Sequence, residues 1–85
     1  TFPNPTHSTT TIQYTLTESA HVILKIYNVL GQEVKTLVNE TQTRGPKTFL
    51  WDGRDNQGRM LGSGIYFCRL HAGDFGQSRK VIWVK

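Results

Sequence analysis

Short apolar runs with a two-residue period dominate this chain, and no segment keeps an apolar stripe of helical period through three turns. In the first run Ile12, Tyr14 and Leu16 alternate with polar residues, which is the pattern of a strand with one buried face. Glycine-containing segments such as 30–32 and 73–76 separate the runs and indicate turns. The sequence therefore predicts an all-β fold.

The runs are short and recur about every 8–12 residues, as in two-sheet antiparallel sandwiches of about seven strands. The strands that we can place are predicted over residues 12–16, 20–28, 33–38, 47–51, 65–70 and 78–84. We predict a break over 39–46, an ordered loop over 54–64 and a tight connection over 73–76. The last strand is apolar on both faces, which predicts a central or covered position in its sheet.

The length of 85 residues allows one hydrophobic core and therefore one domain. Residues 1–11 are rich in threonine and proline, so we expect an extended linker lead-in there and the sandwich over 12–85. Because the chain opens on Thr1, we expect it to be part of a longer polypeptide. No apolar run approaches the roughly 20 residues that span a bilayer.

The chain offers little material for catalysis. Its single cysteine, Cys68, excludes an internal disulfide, and its place beside Tyr66 and Leu70 on one strand face predicts a core thiol. The three histidines are isolated, so no zinc site and no catalytic constellation are expected. The net charge of +4 is scattered along the chain, which argues against nucleic-acid binding. We expect a non-enzymatic module without a cofactor.

One loop carries oxygen ligands that suit calcium. Asp52, Asp55 and Asn56 precede Gly58, but their spacing lacks the alternation of an EF-hand. Short Asp and Asn side chains also stabilise turns by accepting bonds from their own backbone. We favour turn stabilisation over calcium binding, which stays the alternative at this loop.

Two tryptophans admit two interpretations. Trp51 shares a strand face with Phe49, which favours packing in the core, and Trp83 shares a face with Val81 and Lys85. The alternative is a flat platform on which both indoles stack against sugar rings. We favour core packing.

An ordered set of blocks along the whole chain resembles a known family. The blocks are Phe2-Pro3-Asn4-Pro5, 22–34, Trp51-Asp52-Gly53 with Asp55 and Gly58, Gly64-Ile65-Tyr66 and the terminal Lys85. Together they resemble the type A C-terminal sorting domain of the type IX (Por) secretion system. That fold is immunoglobulin-like and similar to the Ig-like domain of the flagellar hook-capping protein.

The resemblance implies a secretion, sorting and cell-surface anchoring signal for a larger exported protein. It also implies recognition by the outer-membrane translocon and sortase-like proteins, a cargo domain N-terminal to this one, and a final location at the cell surface or outside the cell. The alternative is an accessory module, sugar-binding or structural, of a secreted hydrolase. A third possibility is an assembly domain like that of the hook-capping protein.

The last strand is the predicted recognition surface, because the resemblance implies that the export machinery reads the end of the chain, through strand addition to a partner sheet. The residues are Arg79, Lys80, Val81, Ile82, Trp83, Val84 and Lys85. The competing interpretation is a solvated edge on which lysine discourages pairing. Pairing of two copies through this strand is a further expectation, which gives a monomer or a weak dimer.

Overall fold

A computed structural model describes residues 9–85 as six antiparallel strands. The strands are β1 Thr10–Leu16, β2 Ala20–Tyr27, β3 Glu33–Gln42, β4 Gly45–Trp51, β5 Gly64–Ala72 and β6 Phe75–Trp83. They form a four-stranded sheet in the order β3-β2-β5-β6 and a two-stranded sheet of β1 and β4. The predicted all-β, immunoglobulin-like antiparallel sandwich is confirmed, with six strands in place of about seven. None of the residues 9–85 belongs to a helix long and apolar enough to cross a membrane.

Alternation along the strands builds the core between the two sheets. Val22, Leu24 and Ile26 of β2 are fully buried, whereas the residues between them are partly exposed. Tyr66, Cys68 and Leu70 of β5 are the matching inward set, as the period of two predicted. The smaller sheet closes over them with three buried residues, which are Ile12, Leu16 and Trp51.

Two of the predicted boundaries are wrong, in both cases because polar residues continue a strand at the edge of a sheet. The break predicted over 39–46 is mostly strand: β3 runs on to Gln42, and β4 begins at Gly45. Pro46 pairs with Thr15, and β4 has a strand neighbour on one side only among the described residues. Proline lacks an N–H, which an edge strand tolerates. Likewise β6 begins at Phe75, inside the predicted connection.

The position of the last strand also differs from the prediction. β6 lies at the edge of the four-stranded sheet, and Ile82 is 62% exposed on its outer face. The apolar residues of this strand therefore do not indicate a central place in the sheet.

The lead-in predicted over 1–11 lies outside the described residues up to residue 8. Its last two residues, Thr10 and Thr11, belong to β1 and pair with Trp51 and Leu50.

Candidate functional site

The motif residues of the sequence meet at one end of the sandwich, around two buried tryptophans. Trp51 and Trp83 are each 1% exposed, and their ring centroids lie 5.7 Å apart with the planes tilted by 47°. The indole N–H of Trp51 donates to the Arg54 carbonyl at 3.1 Å, and that of Trp83 to the Leu61 carbonyl at 3.2 Å. Rings buried and bonded in this way belong to the core and present no platform to a sugar.

Gly53 and Tyr66 fix the tryptophans in place. Gly53 has a φ of +77°, and a Cβ built on it would overlap atoms of the Trp83 indole ring, so only glycine fits there without a shift of the ring or the loop. The Tyr66 ring packs edge-on against Trp51 with centroids 5.4 Å apart, and its hydroxyl donates to the Gly62 carbonyl at 2.7 Å. A tyrosine bonded to the backbone just upstream is also a recurring device of immunoglobulin-like sandwiches. Gly64, at the start of β5, is exposed.

The loop predicted over 54–64 folds back on itself, and Asp55 is its centre. The carboxylate of Asp55, 8% exposed as a residue, accepts from the backbone N–H groups of Gln57 and Arg59 at 3.0 and 2.9 Å. It also forms an ion pair with the Arg59 guanidinium at 3.2 Å. A turn closes when the Gly58 N–H donates to the Asp55 carbonyl, with Gly58 at a φ of +84°.

The other two oxygen donors of the loop are likewise engaged with the backbone. Asp52 accepts from the Arg54 N–H at 3.2 Å, and the Asn56 side-chain oxygen accepts from the Thr36 N–H on β3 at 3.0 Å. Within residues 9–85 no group of three or more His, Cys, Asp or Glu side chains converges as metal ligands do. The geometry of this loop is that of turn stabilisation.

The hydrogen bonds to Asp55 predict a pH dependence. The Arg59 N–H is the main reason that the Asp55 pKa lies below its ordinary value, and partial burial opposes this to a smaller extent. A lowered pKa stabilises the fold fully above the ordinary carboxyl pKa of about 4, and this stabilisation is lost as the pH falls through the folded-state pKa. We expect thermal melts between about pH 7 and about pH 2 to show a larger acid loss of stability for the wild type than for Asp55→Asn.

The matched control for that melt series is Asp74→Asn, in the exposed turn between β5 and β6. It removes one carboxylate and leaves the Asp55 contacts intact, so its melting temperature should fall on acidification as the wild type's does. Parallel curves for Asp55→Asn and the wild type would contradict the assigned role of Asp55.

Cys68 is a core thiol. It is 5% exposed on the inward face of β5, and burial raises its pKa to about 11, with a smaller opposing effect from Arg79. The thiolate is the reactive form, so this group is a poor nucleophile at neutral pH.

The burial of Cys68 predicts slow chemical labelling. With Ellman's reagent at about pH 8, the folded protein should react at least about 100-fold more slowly than the same protein unfolded in urea. Mass spectrometry of the labelled chain checks the stoichiometry. Equal rates in the two states would show that Cys68 is accessible in the folded domain.

The predicted recognition residues of the last strand divide between the two faces of the sheet. Val81 and Trp83 point into the core, where they are 7% and 1% exposed, whereas Ile82 and Val84 are more than half exposed. Lys80 and Lys85 are exposed, and the Lys85 N–H donates to the Ser63 hydroxyl at 2.8 Å. The strand is therefore partly core and partly surface.

Arg79 faces the smaller sheet across a groove that the sequence analysis missed. Its guanidinium donates to the Gln13 carbonyl on β1 at 3.4 Å. The groove between β1 and β6 has a volume of about 200 Å³, with Leu24, Cys68 and Leu70 among its lining residues. Sequence reasoning could not find it, because it depends on which strands lie at the sheet edges.

The architecture defines the chain as an immunoglobulin-like β-sandwich domain. The profile of the FlgD Ig-like domain family matches residues 4–74, and the chain belongs to that family. The crystal structure of FlgD from P. aeruginosa is similar in fold, with a TM-score of 0.71 and 24% sequence identity over 88% of this chain. At that identity the likeness establishes the fold alone, and the chain spans 58% of the FlgD chain. No curated protein matches.

The family match corrects the functional prediction from the sequence. A type IX sorting and surface-anchoring signal is contradicted, since the matching family is that of FlgD, and the accessory module of a secreted hydrolase has no support either. Two residues of the blocks that suggested sorting have structural roles: Gly53 lies against Trp83, and the Tyr66 hydroxyl donates to the Gly62 carbonyl. These residues are explained by the sandwich fold and do not indicate an export pathway. The family match gives no support to a location at the cell surface reached through a type IX system.

Proposed function

We propose that this chain is the Ig-like module of a FlgD-type flagellar hook-capping protein and serves hook assembly as a non-catalytic structural and protein-binding domain. The observation that carries the proposal is the family match over residues 4–74. The fold shared with FlgD from P. aeruginosa supports it.

The construction of the domain fits a scaffold better than a catalyst. Its conspicuous motif residues, among them Trp51, Gly53, Asp55 and Tyr66, are engaged in packing and turn bonds. Cys68, the one thiol, is buried with its pKa raised. Catalysis needs a nucleophile or base within reach of a substrate, and none of these groups meets that condition.

Partners of such a module are other protein segments of the hook apparatus and the rest of its own polypeptide. The positive residues are scattered along the sequence, which supports the expectation that nucleic acid is not a partner. The translocon and sortase-like partners followed only from the sorting function and are not carried forward.

The test is an in-frame deletion of the codons for residues 1–85 from the gene in its own bacterium. We expect cells that lack complete hooks and do not swim, with recovery when the full gene is supplied on a plasmid. Purified basal bodies viewed by electron microscopy give the direct readout. Normal hooks and normal swimming in the deletion strain would reject the proposed function.

A further inference from the structure

Two strand edges face each other across the groove between the sheets. β6 closes the four-stranded sheet and β1 belongs to the two-stranded sheet, and neither has a second strand neighbour among residues 9–85. An edge strand presents N–H and C=O groups that another extended chain can pair with. The groove is lined on one side by 10–14 and on the other by Gln77 and 79–82.

The groove has the size and lining for side chains and not for a cofactor. Its volume of about 200 Å³ lies below the roughly 300 Å³ at which small-molecule pockets begin. Ile12, Leu24, Leu70 and Val81 supply apolar lining. An extended segment laid along β6 directs alternate side chains toward this lining and the others toward solvent.

The charge of the groove favours an acidic occupant. Arg79 lies on the inward face of β6 with Val81 and lines the groove, whereas Lys80 lies on the outer face with Ile82; no Asp or Glu is among the lining residues. The three ion pairs recorded within residues 9–85 use Lys25, Arg54 and Arg59, so Arg79 and Lys80 take part in none of them.

The bond that Arg79 now makes is weak. It runs 3.4 Å to the neutral carbonyl of Gln13, whereas a bond between guanidinium and carboxylate is shorter and about twice as strong. A carboxylate that enters the groove therefore gives Arg79 a better partner than it has.

We propose that the groove between β1 and β6 is a docking site for an extended segment of another protein. The segment adds to the edge of β6, with apolar side chains inward on both sides of one inward acidic residue that binds Arg79. This inference rests on the proposed function for its biological role and adds the surface and the class of partner.

A second copy of this chain is a poor occupant. Pairing β6 with β6 of another copy places strands that contain Arg79 and Lys80 and no acidic residue side by side. Like charges on facing strands are destabilising. The earlier expectation that two copies pair through this strand is therefore replaced by a hetero-partner.

The probe is a short synthetic peptide that alternates valine and threonine, with a glutamate in place of the central valine. Titration into labelled protein, followed by backbone amide NMR, should shift the amides of 10–14 and 77–82. A peptide with lysine in place of the glutamate should bind at least about tenfold more weakly, because a bond between opposite charges is lost and like charges meet.

Backbone methylation tests strand addition directly. Two further peptides carry N-methyl groups on alternate amides. One peptide is methylated along one edge of its strand, and the other is methylated along the opposite edge. Because a β-strand pairs through one edge only when it joins a sheet edge, one methylated peptide should bind as the parent does and the other should not bind. Equal binding of both, or the absence of any shift at about 1 mM parent peptide, overturns the proposal.

Arg79→Gln tests the charge contact. We expect about tenfold weaker binding of the glutamate peptide and little change for a peptide with glutamine at that position. The matched control is Arg44→Gln, an equal loss of charge at an exposed residue outside the groove lining, which should leave both affinities unchanged. Retention of full affinity by Arg79→Gln would remove Arg79 from the site.

The peptide experiments and the deletion experiment test different hypotheses, so either hypothesis can be rejected without the other. Loss of hooks in the deletion strain together with no peptide binding rejects the docking groove and leaves the proposed function standing. Normal hooks together with edge-specific peptide binding rejects the proposed function and leaves the docking groove standing.

Discussion

Gly53→Ala is expected to destabilise the domain by about 2–5 kcal/mol. The new Cβ would overlap atoms of the Trp83 indole, which is 1% exposed and donates its N–H to the Leu61 carbonyl. To relieve the overlap the ring or the loop must move, and overpacking of this kind costs about 1–3 kcal/mol. The φ of +77° adds about 1–2 kcal/mol for a residue with a side chain.

Urea unfolding followed by tryptophan fluorescence measures this loss, and Gly58→Ala is its matched control. Gly58 has a similar φ of +84°, but a Cβ on it meets nothing within 4 Å. Gly58→Ala should therefore cost only the backbone penalty of about 1–2 kcal/mol. Equal costs for the two substitutions would show that the approach of Trp83 to Gly53 does not limit stability. A Gly53→Ala protein that is already unfolded in buffer agrees with the expectation, since small domains have little stability to spare.

The strands with one buried face were predictable from residue pattern alone. Val22, Leu24 and Ile26 repeat with a period of two, and any sheet that buries one of them buries all three. Tyr66 and Cys68 follow the same rule on β5. Local alternation carries this information because strand geometry depends only on neighbouring residues.

The errors arose where the outcome depends on a distant strand. The Gly45-Pro46 pair has the composition of a break, yet it starts β4, since an edge strand has room for a residue without an N–H. The apolar residues Ile82 and Val84 were expected to be covered, but both are more than half exposed, and β6, which ends before Val84, lies at an edge of its sheet. Whether a strand lies at the edge or in the centre of a sheet depends on the order of the strands, and the periodicity of the sequence does not determine that order.

Function was misassigned for a related reason. The residues that carried the resemblance, among them Gly53, Asp55 and Tyr66, shape the sandwich itself. One fold hosts many functions, so residues that shape the fold do not identify what the domain does. Arg79 was chosen for its place near the end of the chain, and its position on the groove became visible only with β1 in place across from it.

Trp51→Ala is the second substitution with a large expected effect, because Trp51 joins the two sheets. It stands on β4 in the smaller sheet, while its ring contacts, Tyr66 and Trp83, stand on β5 and β6 in the larger one. Removal of a fully buried tryptophan costs about 3–5 kcal/mol. Here the substitution also removes the ring contacts of Trp51 with Tyr66 and Trp83 between the two sheets, so we expect a cost in the upper part of that range.

The control for Trp51 is its neighbour on the same strand. Leu50 is 58% exposed on the opposite face of β4, and Leu50→Ala should change the free energy of unfolding by no more than about 0.5 kcal/mol. Trp83, the other tryptophan of the chain, remains as the fluorescent reporter in both variants. Trp51→Phe keeps a ring between the sheets and loses the bond to the Arg54 carbonyl, so its cost should lie between the two. If Trp51→Ala cost no more than Leu50→Ala, the two sheets would not be held together through Trp51, and the core would have to depend on Ile12 and Leu16 instead.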